Sequence, residues 1–599
     1  MPEKSESTIT DGTMDFSGGA NSIKVTTVAS TKNPNGLARN ELAWMVNCTC
    51  RDGGLLQRTG WQPLGRIYNN TGLYQGGIMY DPGNQNPYLL LAISGQIFSV
   101  NVDNAGSPTN KTAAFPGTGM PNTTRYSFVQ AENFVVIQAN DFVTLPRIYN
   151  GNVLRVSKGI TNPAVAPGTP GVNEIPPAGA MDYYMGRLWY AQGRQYSAGD
   201  IVGGTSGTAA NQFRDAVLNV TENPLVLGGD GFTVPDNSGN IRAIFHNANL
   251  NTQLGQGSLF IGTRKAIYSL SVPVTRTSWI AATDSNQPLQ TVVQLVNGPV
   301  NDWSVAKVNG DVFYQTLEPA VQSLFSAIRY FNQWANPPVS AVEERILQFN
   351  DRSLLQFASA ITFDNRLLNT ALPIQKPQGV IHQGLIPLDF VPISSFAAAS
   401  SESPTWEGSY SGLDILQLFT GDFGGRERAF AVILSQVDSS IWLYELTDSN
   451  RFEEGDQRVT WLAETPAFTW GKEFDLKKLV SAELAIDKLF GTVDVTVEYR
   501  PDFDNCWHTW HKFQLCSARN TCEDVINPVC YPVGGYREGF RQVVTLPKPP
   551  FSCETSSGRP SNIGYQFQLR LTFHGWCRLR SVLLHAEEME RKLYAQKVC

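Results

Sequence analysis

Between about residues 85 and 450 one local pattern recurs. A short apolar run is followed by a small polar turn and then by a second run rich in aromatic or β-branched residues. It stands at Leu89–Val102 (LLLAISGQIFSVNV), Phe134–Tyr149 (FVVIQANDFVTLPRIY), Tyr183–Ala191 (YYMGRLWYA) and Leu259–Leu270 (LFIGTRKAIYSL). It returns at Ala306–Leu317 (AKVNGDVFYQTL), Phe357–Leu368 (FASAITFDNRLL) and Ala429–Leu446 (AFAVILSQVDSSIWLYEL). Such runs predict pairs of strands joined by tight turns. Their starts lie 45, 49, 76, 47, 51 and 72 residues apart. Four of these intervals approach the ~40–50-residue period of four-stranded propeller blades. The two long ones then carry insertions of about 25 residues, as propeller loops commonly do. A small sheet has two apolar faces and cannot bury both alone, whereas radial stacking buries both. A series of unrelated hairpins in sandwiches would give similar local texture.

After about residue 450 the pattern changes to clean alternation. LVSAELAIDKLFGTVDVTVEYR (479–500) and Tyr565–Phe573 (YQFQLRLTF) place apolar residues at every second position, and Cys577–Leu584 follows. These read as strands with one face buried. The expected fold class is all-β: an arm over 1–25, a propeller-like body with inserted loops over 26–455, and a sandwich-like domain over 456–599. A Cys-rich loop interrupts the last domain at 506–553. Helices are expected at only two places. Val339–Asn350 puts Val339, Val342, Ile346 and Leu347 on one face, and Ala586–Ala595 has an acidic start and a basic finish that suit the helix dipole.

Composition agrees with many short strands. Only 17% of the 599 residues are charged, against about 25% in ordinary domains, while Gly (52) and Pro (35) punctuate the chain and aromatics reach 11%. The net charge of −7 argues against gripping nucleic acid with the whole surface, because phosphate binding relies on Lys and Arg. It leaves room for a surface past which DNA slides. The opening residues hold no apolar signal-peptide core, and no run of ~18 apolar residues suggests a membrane span.

Candidate chemistry is sparse. No phosphate-binding Gly-x-x-x-x-Gly-Lys loop, Gly-x-Ser-x-Gly elbow or His-Glu-x-x-His is present. Gly421–Ala429 (GDFGGRERA) is glycine-rich but sits between strand-like segments, so it reads as a tight turn. CWHTWHKFQLC brings Cys506, His508, His511 and Cys516 close in sequence. These are zinc-ligand types, yet the spacing lacks a Cys-x-x-Cys knuckle, and no metal or other cofactor is assigned. Cys506, Cys516, Cys522, Cys530, Cys553 and Cys577 form a candidate disulfide or thiol cluster. Nine cysteines in all, with Cys48, Cys50 and Cys599, cannot pair completely within one chain. Scattered carboxylates leave a sugar-cleaving propeller open, although repeated aspartate boxes are missing. No catalytic residue is assigned, and the chain reads as non-enzymatic.

Several stretches resemble the nozzle, or tail tubular B-type, proteins of short-tailed bacteriophages. They are MDFSGGANS (Met14–Ser22), the segment with Asn47, Gly53, Gly54 and Arg58-Thr59-Gly60, SLFIGTRKAIYSL, NGDVFYQTLEPAVQSL, ITFDNRLLNTALP and GYQFQLRLTFHGWCRLRSVLLHAE. The resemblance implies a virion tail protein assembled in the host cytoplasm. Its copies would form a ring, six by the resemblance, that touches the tail adaptor ring and the tail fibres or spikes. Double-stranded DNA would pass through the lumen without sequence-specific binding. The Cys-rich loop departs from the family's pattern. Another tail hub, neck or fibre-docking component, or a carbohydrate-binding or carbohydrate-cleaving propeller, are the alternatives.

Overall fold

The computed structural model describes residues 8–589, apart from positions 32, 70, 124, 274 and 503, the pairs 341–342 and 455–456, and eleven longer segments. Those segments are 162–172, 204–214, 223–231, 248–257, 285–289, 294–296, 325–338, 392–403, 447–452 together, and 517–540 with 552–558. The fold is all-β: a propeller-like body joined to a sandwich.

Seven small antiparallel units follow one another along the body. The first runs Tyr74–Tyr80, Tyr88–Ile93, Gln96–Val100 and Thr109–Asn110. The second to fifth occupy 127–156, 181–233, 241–293 and 305–323, each a simple up-and-down meander. An eight-stranded sheet supplies the last two. Its sixth-unit part is Ala360–Phe363, Arg366–Lys376 and Gly379–Asp389, and its seventh is Tyr410–Asp422, Glu427–Leu434 and Ile441–Leu446. The turns have local causes. Asn309-Gly310 and Asp364-Asn365 each connect two strands through two residues at positive φ (49° and 82°, 51° and 55°), the geometry that two-residue hairpins require and that Asn, Asp and Gly tolerate.

The ring is closed by a strand from the other side of the body. Trp61–Tyr68 precedes the first unit in sequence but pairs with Ile441–Leu446, so it becomes the outer strand of the seventh. Seven separate apolar cores then fill the seven junctions. Leu90 and Ile97 meet Val135 and Tyr149 between the first two units. Val136 meets Leu188 and Tyr190 at the next, and Trp189 meets Ile261 at the third. Phe245 meets Tyr314, Phe313 meets Leu388, and Leu368 meets Ile433 at the following three. Leu89 and Phe98 meet Phe430 and Leu443 across the closure. Radial burial of both faces of each sheet thus accounts for the repeated apolar texture.

The second body is a two-sheet sandwich. One sheet has the order 541–546, 477–487, 578–588, 55–57, 48–49, with Thr8–Thr13 also on 578–588. The other has the order 508–516, 492–501, 567–574, 460–464, 44–46. One continuous core fills the space between them, from Phe16, Met45 and Leu55 to Trp461, Leu484, Val495 and Leu571. Trp461 stacks on Phe573 with centroids 4.0 Å apart.

Three sequence expectations are corrected. The body does not begin at residue 26, because Trp44–Val46, Cys48–Thr49 and Leu55–Gln57 belong to the sandwich. Strands of two or three residues are too short to show a period, and Trp44–Val46 and Leu55–Gln57 find sandwich partners more than 400 residues away. The helix expected over Val339–Asn350 shrinks to one turn, Glu344–Leu347. At the tail, Ala586–Glu588 ends the strand Arg578–Glu588, since pairing with Thr8–Thr13 and Lys477–Asp487 overrides helix propensity; residues from 590 on lie outside the described set.

A buried polar knot ties the two bodies together. Glu407, fully buried, accepts from Arg366 Nε (2.9 Å) and Tyr410 Oη (2.7 Å), and also from the Thr49 hydroxyl. Arg51 reaches from the sandwich side to Asp389 (2.8 Å) and Asp364 (2.7 Å) of the sixth unit.

Candidate functional site

In each unit the first strand lies innermost, and the first strands of neighbouring units touch around the first, second, third and fourth units. What fills the space they enclose decides whether the ring is itself a passage. The turn before the fifth unit is fixed by Asn301, whose side chain donates to the carbonyls of Gln356 (2.7 Å) and Ala358 (2.8 Å) while Ser304 N–H donates back to it (2.6 Å). Trp303 is thereby thrown across the ring against the first unit. A Cβ on Gly76 would sit 2.4 Å from the Trp303 ring, so this close approach needs a glycine. Arg125, from the start of the second unit, lies over Trp303 at 3.8 Å and pairs with Asp302, and Ser127 Oγ donates to the same carboxylate at 2.9 Å.

Residues of the first, second, fifth, sixth and seventh units therefore meet at one point. The space left between Tyr74, Arg125, Trp303, Phe357 and Leu416 is about 10 Å³, room for one water at most. Because the second and fifth units stand on different arcs of the ring, this contact crosses its middle.

A second constellation links three consecutive first strands. Asp182 Oδ2 lies 2.6 Å from His246 Nδ1, and Lys307 Nζ lies 2.9 Å from His246 Nε2. An ammonium can only donate, so the imidazole accepts from Lys307 at Nε2 and its Nδ1–H donates to Asp182. Burial lowers the Lys307 pKa below the usual lysine value, with Asp182 acting against it. The relay joins the third, fourth and fifth units. Nearby, Tyr183 donates to Glu132, and burial together with that carboxylate raises the phenol pKa.

The candidate cysteines do not share one environment. Cys506 is an exposed free thiol whose N–H donates to Asp504 (3.1 Å). Cys577 is a free thiol in the sandwich core, where burial and then Asp487 push its pKa well above the ordinary value. Cys516 closes the strand His508–Cys516, and Cys522, Cys530 and Cys553 lie outside the described residues. Cys48 and Cys50 are buried in the same core as Cys577. His508 is held by Asp504 (2.8 Å), while His511 stacks on Phe513. The segment CWHTWHKFQLC is thus mainly a strand, and no group of three or more potential ligands converges among the described residues. Gly421–Ala429 is a hairpin turn, with Gly425 N–H donating to Asp422 at 2.6 Å. Among the described residues, no helix is long and apolar enough to cross a membrane.

Sequence reasoning missed Arg125, Asp302, Trp303 and the Asp182–His246–Lys307 relay. Arg125 stands far from Asp302-Trp303 in the chain, as the relay residues do from one another, and no local period marks them.

No family model and no curated protein matches the chain. Solved structures with a similar arrangement include Raptor of Chaetomium thermophilum, 12% identical with a TM-score of 0.36, covering 66% of this chain and 29% of that one. BBS1N in complex with ARL6DN is 10% identical (TM-score 0.32; 66% and 98% covered), and streptogramin B lyase is 7% identical (TM-score 0.33; 65% and 97% covered). The chain spans less than a third of Raptor's length. The assignment of the ring rests on its own sheets and cores.

Proposed function

We propose that the chain is a structural subunit of a virus particle, one of a ring of copies forming the nozzle of a short phage tail. The observation that carries this reading is the filled middle of the propeller-like body. A subunit whose own ring is closed at Arg125, Asp302 and Trp303 serves as a wall block, and any lumen lies between copies. The construction suits a part under load. Both ends of the described chain are paired into one sandwich, Thr8 opposite Glu587, and the ring is latched by Trp61–Tyr68. Opening either body requires breaking long antiparallel pairings together. The sequence resemblance to tail nozzle proteins supplies the particle, the adaptor and fibre partners, and DNA as the cargo. Contacts between copies of one chain that use different patches close into a ring when the rotation suits.

Negative-stain electron microscopy of the purified chain, alone and with the tail adaptor ring, tests this. Closed rings with a central lumen are expected in at least the mixed sample. Monomers that ignore the adaptor would overturn the reading.

A further inference from the structure

Among the described residues most arginines pair with a carboxylate, although Arg147 donates to backbone carbonyls and Arg500 to Gln568 instead. Arg51, Arg58, Arg125, Arg187, Arg366, Arg428 and Arg578 each pair with a carboxylate. Three arginines break the rule together. Arg242 is the second residue of the fourth unit's first strand, Arg264 sits in that unit's second turn, and Arg352 lies in the turn leading to the sixth unit. They line one concave cavity of about 370 Å³ with Glu318, Ser353 and Gln356.

Among the described residues, none of the three guanidinium groups has an ion-pair partner. The nearest carboxylate in sequence, Asp351, is turned onto Ser353, accepting from its N–H (2.9 Å) and hydroxyl (2.7 Å). Arg242 is partly buried, and burial followed by repulsion from Arg264 lowers its pKa. Like charges held together in a concavity favour an anion. Guanidinium forks suit the paired oxygens of phosphate, and each offers several N–H donors. Ser353 and Gln356 add neutral hydrogen-bonding groups at the same wall.

We propose that this cavity is a binding site for a phosphate-bearing anion, held by Arg242, Arg264 and Arg352. The site is too small for a duplex to enter, so DNA would present backbone phosphates at its mouth, whereas a free di- or polyphosphate would sit inside. Glu318 opposes the anion and sets a limit on affinity. The proposal does not rest on the ring-forming reading, since a monomer would carry the same cavity.

The test is titration calorimetry of the full chain with sodium pyrophosphate, repeated with a 12-base-pair duplex. Saturable pyrophosphate binding is expected, weakened at least tenfold in the triple variant Arg242→Gln/Arg264→Gln/Arg352→Gln and tightened several-fold in Glu318→Gln. Thermal melting checks that each variant is folded, and Glu318→Gln supplies the readout if the triple variant is not. Duplex binding that depends on the same arginines would identify DNA as a source, and pyrophosphate binding alone would identify a small phosphate; both support the site. Failure of both ligands to bind, binding that the triple variant retains, or equal displacement by poly-glutamate would overturn it.

Discussion

The ring and the sandwich solve the same burial problem in different ways. The ring divides its apolar residues among seven junction cores, most of them built from neighbouring stretches of chain, such as Val129–Val220 at the second junction. The sandwich has one core, and that core joins residues 16–55 to residues 461–584. The ring's closing junction is the exception, because it brings Ile67 and Leu89 to Phe430 and Leu443. Both long-range closures therefore use the first ~70 residues. Damage inside the ring should stay local, as in other stacked repeats, while damage to the N-terminal latch should affect both bodies.

The largest effect expected is from removing residues 1–68. This takes Trp61–Tyr68 from the seventh unit and the strands at 8–13, 44–46, 48–49 and 55–57 from the sandwich. The remainder should lose its cooperative unfolding transition by circular dichroism. A sharp transition at the wild-type midpoint would show that the latch is dispensable.

Next comes the knot between the bodies. Glu407→Ala leaves Arg366, Tyr410 and Thr49 without their shared acceptor. Breaking a buried pair by removing one partner costs about 3–5 kcal/mol, to be read from urea unfolding. Limited proteolysis of this variant should release the sandwich from the ring earlier than it nicks either body, which separates a junction defect from a core defect.

Within the ring, His382 gives a test by pH. It is fully buried on the strand Gly379–Asp389, and burial pulls its pKa down to about 4, only partly offset by the Ile415 carbonyl at 3.3 Å. The unfolded chain binds the proton near pH 6.5. The stabilisation is thus present above pH 6.5 and is lost as pH falls from there through about 4. Between pH 7 and 4 the wild type should lose about 2–3 kcal/mol more than His382→Gln. Equal losses would mean that the imidazole is not kept neutral by the fold. The smallest effect is expected at Arg66, whose contact with Asp438 is 3.9 Å long and about half exposed on both sides. Arg66→Ala should change stability by less than ~0.5 kcal/mol, although it lies on the closing strand, because that strand acts through its backbone pairing and Ile67.

How much was legible follows from the same contrast. All seven recurring segments fall in seven different units, from Leu89–Val102 in the first to Ala429–Leu446 in the seventh. Repeated local burial writes itself into local sequence. The interval of 72 residues contains the long hairpin of Arg366–Lys376 and Gly379–Asp389, two eleven-residue strands. The sandwich strands 477–487, 492–501 and 567–574 were legible by alternation. Its N-terminal strands were not, because two or three residues carry no period. The residues that fill the ring were hidden for a different reason. The second, third and fourth units separate Arg125 from Trp303 in the chain, and neither sits in a motif.

The most direct test is a cryo-electron microscopy map of the assembled chain, examined at the middle of each seven-unit ring. Density is expected for Trp303 against Gly76 and for Arg125 over Trp303, with any lumen wide enough for duplex DNA lying between copies. An open passage through the middle of the individual ring would contradict it.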